Sequence, residues 1–372
     1  MPLKDIFCQK KAISALQSAF VGDKVAHSYI FAGQYGIGKF TTAKEFAKLL
    51  LCKNPAECGD FNDSCGNCVS CRAFDAGSHP DFEHIYKELL EFTRDGKGKT
   101  TPVDFPIDVV REFLIEKVSS KPALSAKRVF ILTEAEKLNN ESQNCLLKVL
   151  EEPPGYCCII LICTRPDKLL PTIRSRCQIL RFGPVAEEKI IEKLSNLGLD
   201  ETCVKFFARL ADGSLGLACT YARLEQNEAN LFQTKTELLD SIAELDYKDT
   251  LDLADNFLRQ SKAIAGIWTK LEPGTSKTDI SRKSAKIIVQ IVVAALHDAM
   301  LAGVSPQERL INFDQTEQIE KIARRFDPEQ AAQKIVDCFR TMHWLESSVN
   351  ERLIFESLLL NLAETDKITS EL

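Results

Sequence analysis

Residues 33–41 read Gly33-Gln34-Tyr35-Gly36-Ile37-Gly38-Lys39-Phe40-Thr41. An apolar run, Ser28-Tyr29-Ile30-Phe31-Ala32, precedes them, and a segment with apolar residues at Ala43, Phe46, Ala47 and Leu50 follows. Buried strand, glycine-rich turn and helix, in that order, are the context of a phosphate-binding loop. The glycines let backbone N–H groups close around phosphate oxygens, the helix N-terminus adds positive potential, and Lys39 supplies a cation. The pattern asks next for Ser or Thr, whose hydroxyl holds Mg²⁺. Phe40 stands there instead, with Thr41 one place later. Gly33, Gly36, Gly38, Lys39, Phe40 and Thr41 are thus candidate nucleotide-site residues, able to hold phosphate and poorly equipped to hold its metal.

The neighbouring segments supply the rest of such a site. Residues 127–136, Lys-Arg-Val-Phe-Ile-Leu-Thr-Glu-Ala-Glu, read as a buried parallel strand with polar groups at its carboxyl end. A phosphate-loop ATPase places an Asp for Mg²⁺ first after that strand, then a Glu that polarises water. Here those positions hold Thr133 and Glu134. Residues 157–163 form a second buried strand, after which Thr164 stands where a polar residue can read a γ-phosphate or simply end the strand. Helices are expected over 6–20, 107–118 and 141–151, the last stopped by Pro153-Pro154, and a strand over 82–86. The expected fold class is α/β, a parallel sheet flanked by helices.

Fourteen cysteines divide into a cluster at Cys52, Cys58, Cys65, Cys68 and Cys71 and singles in apolar surroundings, among them Cys145, Cys157, Cys158, Cys163 and Cys203. A reducing compartment with one metal site accounts for this better than a disulfide network. Cys65-x-x-Cys68-x-x-Cys71 lets thiolates reach one tetrahedral Zn²⁺ without backbone strain. The fourth ligand is Cys52, at a helix end, or Cys58, in the loop. Four thiolates leave no open position, so the zinc is expected to be structural. His79 reads as a turn residue and His84 as a strand-surface residue, neither a ligand. Residues 94–106 read as a mobile basic loop.

At 372 residues, two or three domains are expected. Hydrophobic and charged fractions of 45% and 27% are those of a globular protein, and a net charge of −6 counts against nucleic-acid binding through bulk positive charge. The amino terminus leads into an amphipathic pattern, and no apolar run approaches the roughly 18 residues of a spanning helix. A cytoplasmic location without membrane contact is expected. From Leu238 onward the pattern is helical almost throughout, with an apolar helix over 282–301 and a loop over 272–277.

Leu170-Pro-Thr-Ile173-Arg-Ser175-Arg176-Cys177 follows the second buried strand, and Glu151-Glu152-Pro153-Pro154 precedes it. With the phosphate loop and the cysteine insert, these motifs resemble the clamp-loader ATPases of bacterial DNA replication, within the AAA+ class. The resemblance implies that Arg176 is an arginine finger reaching the nucleotide of a neighbouring subunit, where a guanidinium stabilises transition-state charge in trans. It also implies an AAA+ domain over 1–184 with a zinc module at about 52–71. A small helical lid over 185–236 and a helical collar over 237–372 follow. In Asp212-Gly-Ser-Leu-Gly216-Leu217-Ala218, Leu217 stands where motor subunits put a lid arginine.

Loss of a hydroxyl at Phe40, an acid at Thr133 and a cation at Leu217 points to the delta-prime branch of the family. Its own site is degenerate, so ATP and Mg²⁺ binding is doubtful and little or no ATPase is expected. The implied partners are gamma/tau and delta subunits, the sliding clamp and primer-template DNA, within the DNA polymerase holoenzyme. Two alternatives remain open at this stage: an active gamma/tau-like motor, and a zinc-dependent nucleic-acid-binding adaptor.

Overall fold

A computed structural model describes residues 3, 6, 8–58, 61–96, 104–304, 306–347 and 349–364. The expected basic loop over 94–106 falls largely on residues 97–103, which lie outside the described residues.

Among the described residues seven strands form in chain order: β1 (Ser28–Ala32), β2 (Ala56–Cys58), β3 (Phe61–Asp63), β4 (Phe82–Ile85), β5 (Arg128–Leu132), β6 (Cys157–Cys163) and β7 (Gln178–Arg181). Five of them make one sheet in the order β4-β5-β6-β1-β7, parallel throughout. The central strand β6, Cys-Cys-Ile-Ile-Leu-Ile-Cys, is buried along its whole length. Such unbroken apolar strands arise where helices cover both faces of a parallel sheet, and the two faces divide by alternation. Ile30, Phe130, Leu132, Ile159 and Leu161 pack with Val109, Leu114 and Leu146. Tyr29, Phe31, Val129, Ile131 and Ile160 pack with Leu16, Phe46 and Ala47 on the other side.

The register matters most for function. Ala32 pairs with Cys163, and Leu132 with Leu161. The turns after β1, β5 and β6 therefore open at one edge of the sheet, the carboxyl ends of its strands, where ligands of open α/β sheets bind.

The expected helices form at Lys10–Val21, Lys39–Leu51 and Asn140–Glu151. Asn139 caps the last, its side chain accepting from the Ser142 N–H at 2.8 Å. The segment expected as one helix over 107–118 is helical but not uniformly α. Residues Arg111–Ile115 wind as a π-helix between α-helical Ile107–Val110 and Glu116–Val118.

The described chain divides into two compact units, Met1–Lys189 with Gly213–Gly216, and Ile190–Asp212 with Leu217–Leu372. The second unit is helical among its described residues. Its longest helix, Lys277–Leu301, packs against Thr250–Leu271, Thr316–Arg325 and Pro328–Trp344. The sequence expectation that no apolar run approaches spanning length needs correction. This helix contains an 18-residue window of mean hydropathy 1.5, and 67% of that window is buried inside the protein. A helix surrounded by other helices is apolar on nearly every side.

Candidate nucleotide site and metal centre

The loop after β1 is built by three glycines with positive φ. Gly33 (φ 154°) donates its N–H to the Cys163 carbonyl at 3.3 Å, and a Cβ there would meet the Phe182 carbonyl oxygen at 2.7 Å. Gly36 and Gly38 sit at φ 75° and 95°, the latter as N-cap of Lys39–Leu51. The loop tip is also held from outside: Gly216 N–H donates to the Gly36 carbonyl at 2.7 Å.

Lys39 is 5% exposed. Its Nζ donates to the carbonyls of Gly33 at 2.6 Å and Gln34 at 2.5 Å. Burial lowers its pKa to about 8, against an upward pull from the Glu136 carboxylate.

Phe40 does not merely lack a hydroxyl. Its ring lies on His84, centroids 4.6 Å apart, and His84 lies on Tyr86 at 4.9 Å. Burial, with Lys44 nearby, pushes the His84 pKa down to about 4. His84 lies on the edge strand β4, as expected, and is partly covered there by Phe40. Tyr86 continues the extended chain one residue past β4 and so lies on the same side as His84, and the first turn of Lys39–Leu51 brings Phe40 onto that side. Thr41 is half-buried, and the hydroxyl of Thr42 is spent on the Gly38 carbonyl at 2.9 Å.

At the end of β5, Thr133 donates its N–H to the Ile85 carbonyl at 3.1 Å, and its Oγ1 lies 3.4 Å from His84 Nε2. Glu134 has φ 55° and pairs with Lys137 at 2.6 Å. The acid brought to Thr164 is a different one. Thr164 Oγ1 donates to Glu136 Oε1 at 2.6 Å, and the buried Oε2 has no hydrogen-bond partner among the described residues. Sequence reasoning passed over Glu136 because it assigned the acid's role by distance from the strand. The left-handed backbone at Glu134 and the 3₁₀ turn Ala135–Lys137 present position 136 instead.

Arg176 lies at the opposite edge of the sheet. Its carbonyl accepts from the Oγ of Ser28, the first residue of β1, at 2.9 Å. The five residues of β1 then separate it from Gly33 by roughly 15 Å. Its guanidinium pairs with Glu151 at 3.0 Å and donates to the Thr172 carbonyl at 3.0 Å, with the side chain 35% exposed. The two sequence motifs containing Glu151 and Arg176 therefore meet in space.

The four sulfurs of Cys52, Cys65, Cys68 and Cys71 all lie within 4.8 Å of one another. Cys52–Cys65 is 3.5 Å, and Cys52–Cys68 and Cys65–Cys71 are 4.0 Å. Four thiolates at ~2.3 Å from one tetrahedral zinc would stand ~3.8 Å apart, so the donor set fits that metal. Cys52 ends the helix after the phosphate loop, and Cys68 caps Val69–Asp75. Cys65 N–H donates to Cys52 Sγ, and Cys71 N–H to Cys68 Sγ, each at 3.3 Å. Burial opposes ionisation of Cys68, but the N–H groups of Cys71 and Lys53 bring its pKa down to about 6. Of the two candidates for the fourth position, Cys52 joins this cluster; the Cys58 side chain lies outside the described residues.

His79 is in a turn, as expected, but it is buried and serves the module's footing rather than the sulfurs. Its Nδ1 accepts from the Asp81 N–H at 3.1 Å, and its Nε2 lies 2.8 Å from Ser70 Oγ. Ser70 in turn donates to the Leu51 carbonyl at 2.6 Å, beside Cys52. Cys157, Cys158, Cys163 and Cys203 are buried free thiols, and Cys145 is a partly buried one.

Residues 8–186 match the family described as DNA polymerase III, delta subunit, and residues 280–364 match the C-terminal family of the same subunit. The chain belongs to the bacterial clamp-loader family. This clamp-loader chain is 39% identical over 152 residues to the DNA polymerase III subunit delta′ of Pseudomonas aeruginosa, covering 41% of the chain and 42% of that protein. It is 30% identical over 218 residues to the subunit tau of Bacillus subtilis, covering 57% of the chain and 35% of that protein. The chain thus spans about two fifths or less of the length of these relatives. A gamma-subunit-related protein of Thermotoga maritima superposes with a TM-score of 0.45 at 16% identity, covering 94% of this chain and 98% of that one.

Proposed function

We propose that the chain is a delta-prime-like clamp-loader subunit, with a degenerate nucleotide site, that helps place a sliding clamp on primed DNA. The observation that carries this reading is the paired loss at the metal position. Phe40 fills the hydroxyl's place and is packed on His84, while Thr133 stands for the metal-binding acid and also faces His84. Without those two ligands, Mg²⁺ and the γ-phosphate lose several kcal/mol of stabilisation. Arg176, at the far edge from its own loop and partly exposed, is suited to act on the nucleotide of an adjacent subunit. Its partners in this reading are gamma/tau and delta subunits, the clamp and primer-template DNA. The lid over 185–236 and the collar over 237–372 are retained as proposed subdivisions. Cys52, Cys65, Cys68 and Cys71 are proposed to hold one structural zinc, whose role is to tie the end of Lys39–Leu51 to the insert. The location proposed is the bacterial cytoplasm.

The test mixes the chain with candidate motor and delta subunits and measures assembly size and DNA-stimulated ATPase. Arg176→Ala should leave assembly intact and depress the rate at least about tenfold; an unchanged rate refutes the finger. The rival reading, an active motor, draws on the match to a tau subunit. ATP turnover by the isolated chain, abolished by Lys39→Ala, would decide for it.

A further inference from the structure

The carboxylate of Glu136 has no part in the proposed function, yet it stands in the turn after β5, within electrostatic reach of Lys39. It accepts the hydroxyl of Thr164 at 2.6 Å, and its second oxygen is buried without a hydrogen-bond partner among the described residues. Thr164 directly follows Cys163, which pairs with Ala32 and accepts the Gly33 N–H. The Gly33 carbonyl in turn holds Lys39 Nζ at 2.6 Å. This chain of contacts sets a carboxylate and an ammonium at the same edge of the sheet, across one strand boundary. The polar side chain that would read a γ-phosphate is already engaged by a fixed negative group.

We propose that Glu136 is a built-in anion, within electrostatic reach of Lys39, that keeps nucleotide out of this loop. The inference rests on the degenerate-site reading and deepens it: loss of metal ligands removes turnover and metal-assisted affinity, whereas Glu136 removes the metal-independent affinity that the loop alone would have. A carboxylate held near a polyanion repels it strongly in a partly buried site, and an amide of the same shape does not. Glu136 also retains the Thr164 contact when replaced by Gln, whose carbonyl accepts the same hydrogen bond.

Calorimetric titration of the full chain with inorganic pyrophosphate, ADP and ATP, with and without added Mg²⁺, tests this. Glu136→Gln should bind all three at least about tenfold more tightly than the natural chain, ~1.4 kcal/mol, without needing Mg²⁺. The gain should vanish in the Lys39→Met, Glu136→Gln double variant. Lys39→Met alone should change affinity by less than about threefold, because its ammonium is already held by the Gly33 and Gln34 carbonyls while Glu136 stands against phosphate. Unchanged affinity in Glu136→Gln overturns the proposal. So does weaker binding specifically with Mg²⁺, which would make Glu136 a metal ligand. A large loss on Lys39→Met alone overturns it even if Glu136→Gln does not fold. The two ideas fail separately: tighter binding without turnover supports both, whereas hydrolysis by the natural chain refutes the degenerate site whatever Glu136 does.

Discussion

Acidification should loosen the first unit through His84, and the size of the effect follows from its surroundings. In the unfolded chain this imidazole takes up a proton near pH 6.5; packed at a tilt between Phe40 and Tyr86 it does so only near pH 4. Between those values the unfolded state binds more protons, so lowering the pH favours unfolding. The contribution is complete above pH 6.5 and is lost as the pH falls through that interval to about 4. A difference of ~2.5 units corresponds to about 3 kcal/mol in full, and about 2 kcal/mol is lost between pH 7.5 and pH 5. His79, whose pKa is also lowered by burial, adds in the same direction.

His84→Leu removes the titrating group while keeping an apolar side chain between the two rings. Denaturant unfolding of both proteins at pH 7.5 and pH 5 isolates the term, because all other groups titrate in both. The natural chain should lose about 2 kcal/mol more than the variant over that range. A direct check is available because the chain has only five histidines. The imidazole resonance missing from His84→Leu should titrate below pH 5. A value within half a unit of 6.5 would refute the buried stack.

Further outcomes are expected. Elemental analysis should find about one zinc per chain, and Cys65→Ser should lower that content; chelation should lower the melting midpoint by at least about 4 °C, and an unchanged midpoint would exclude a structural metal. Arg176→Ala should change stability by less than about 1 kcal/mol, since its pair with Glu151 is partly exposed; a larger loss would make the residue structural rather than functional. A Cβ at Gly216 would meet Gly36 Cα at 2.9 Å, so Gly216→Ala should destabilise by about 1–3 kcal/mol; a neutral substitution would disprove the close seating on the loop.

Much of the architecture was legible in the residues. The loop glycines, the unbroken apolar runs at 128–132 and 157–163, and the cysteine spacing are local signals, each tied to a backbone shape or a ligand geometry. They determined a parallel α/β sheet, a phosphate-type loop, a four-thiolate cluster and a largely helical remainder. Resemblance in the motifs at 151–154 and 170–177 added the family. What the sequence could not settle depends on which side chains meet after folding. Register decided that Thr133 faces His84, and a left-handed residue at 134 decided that Glu136, not Glu134, meets Thr164. The choice of Cys52 for the sulfur cluster came from the helix that ends there, and the place of Arg176 opposite its own loop came from the length of β1. Spacing along a chain fixes what a loop can be; only the packing of strands beside one another sets which charge stands in it.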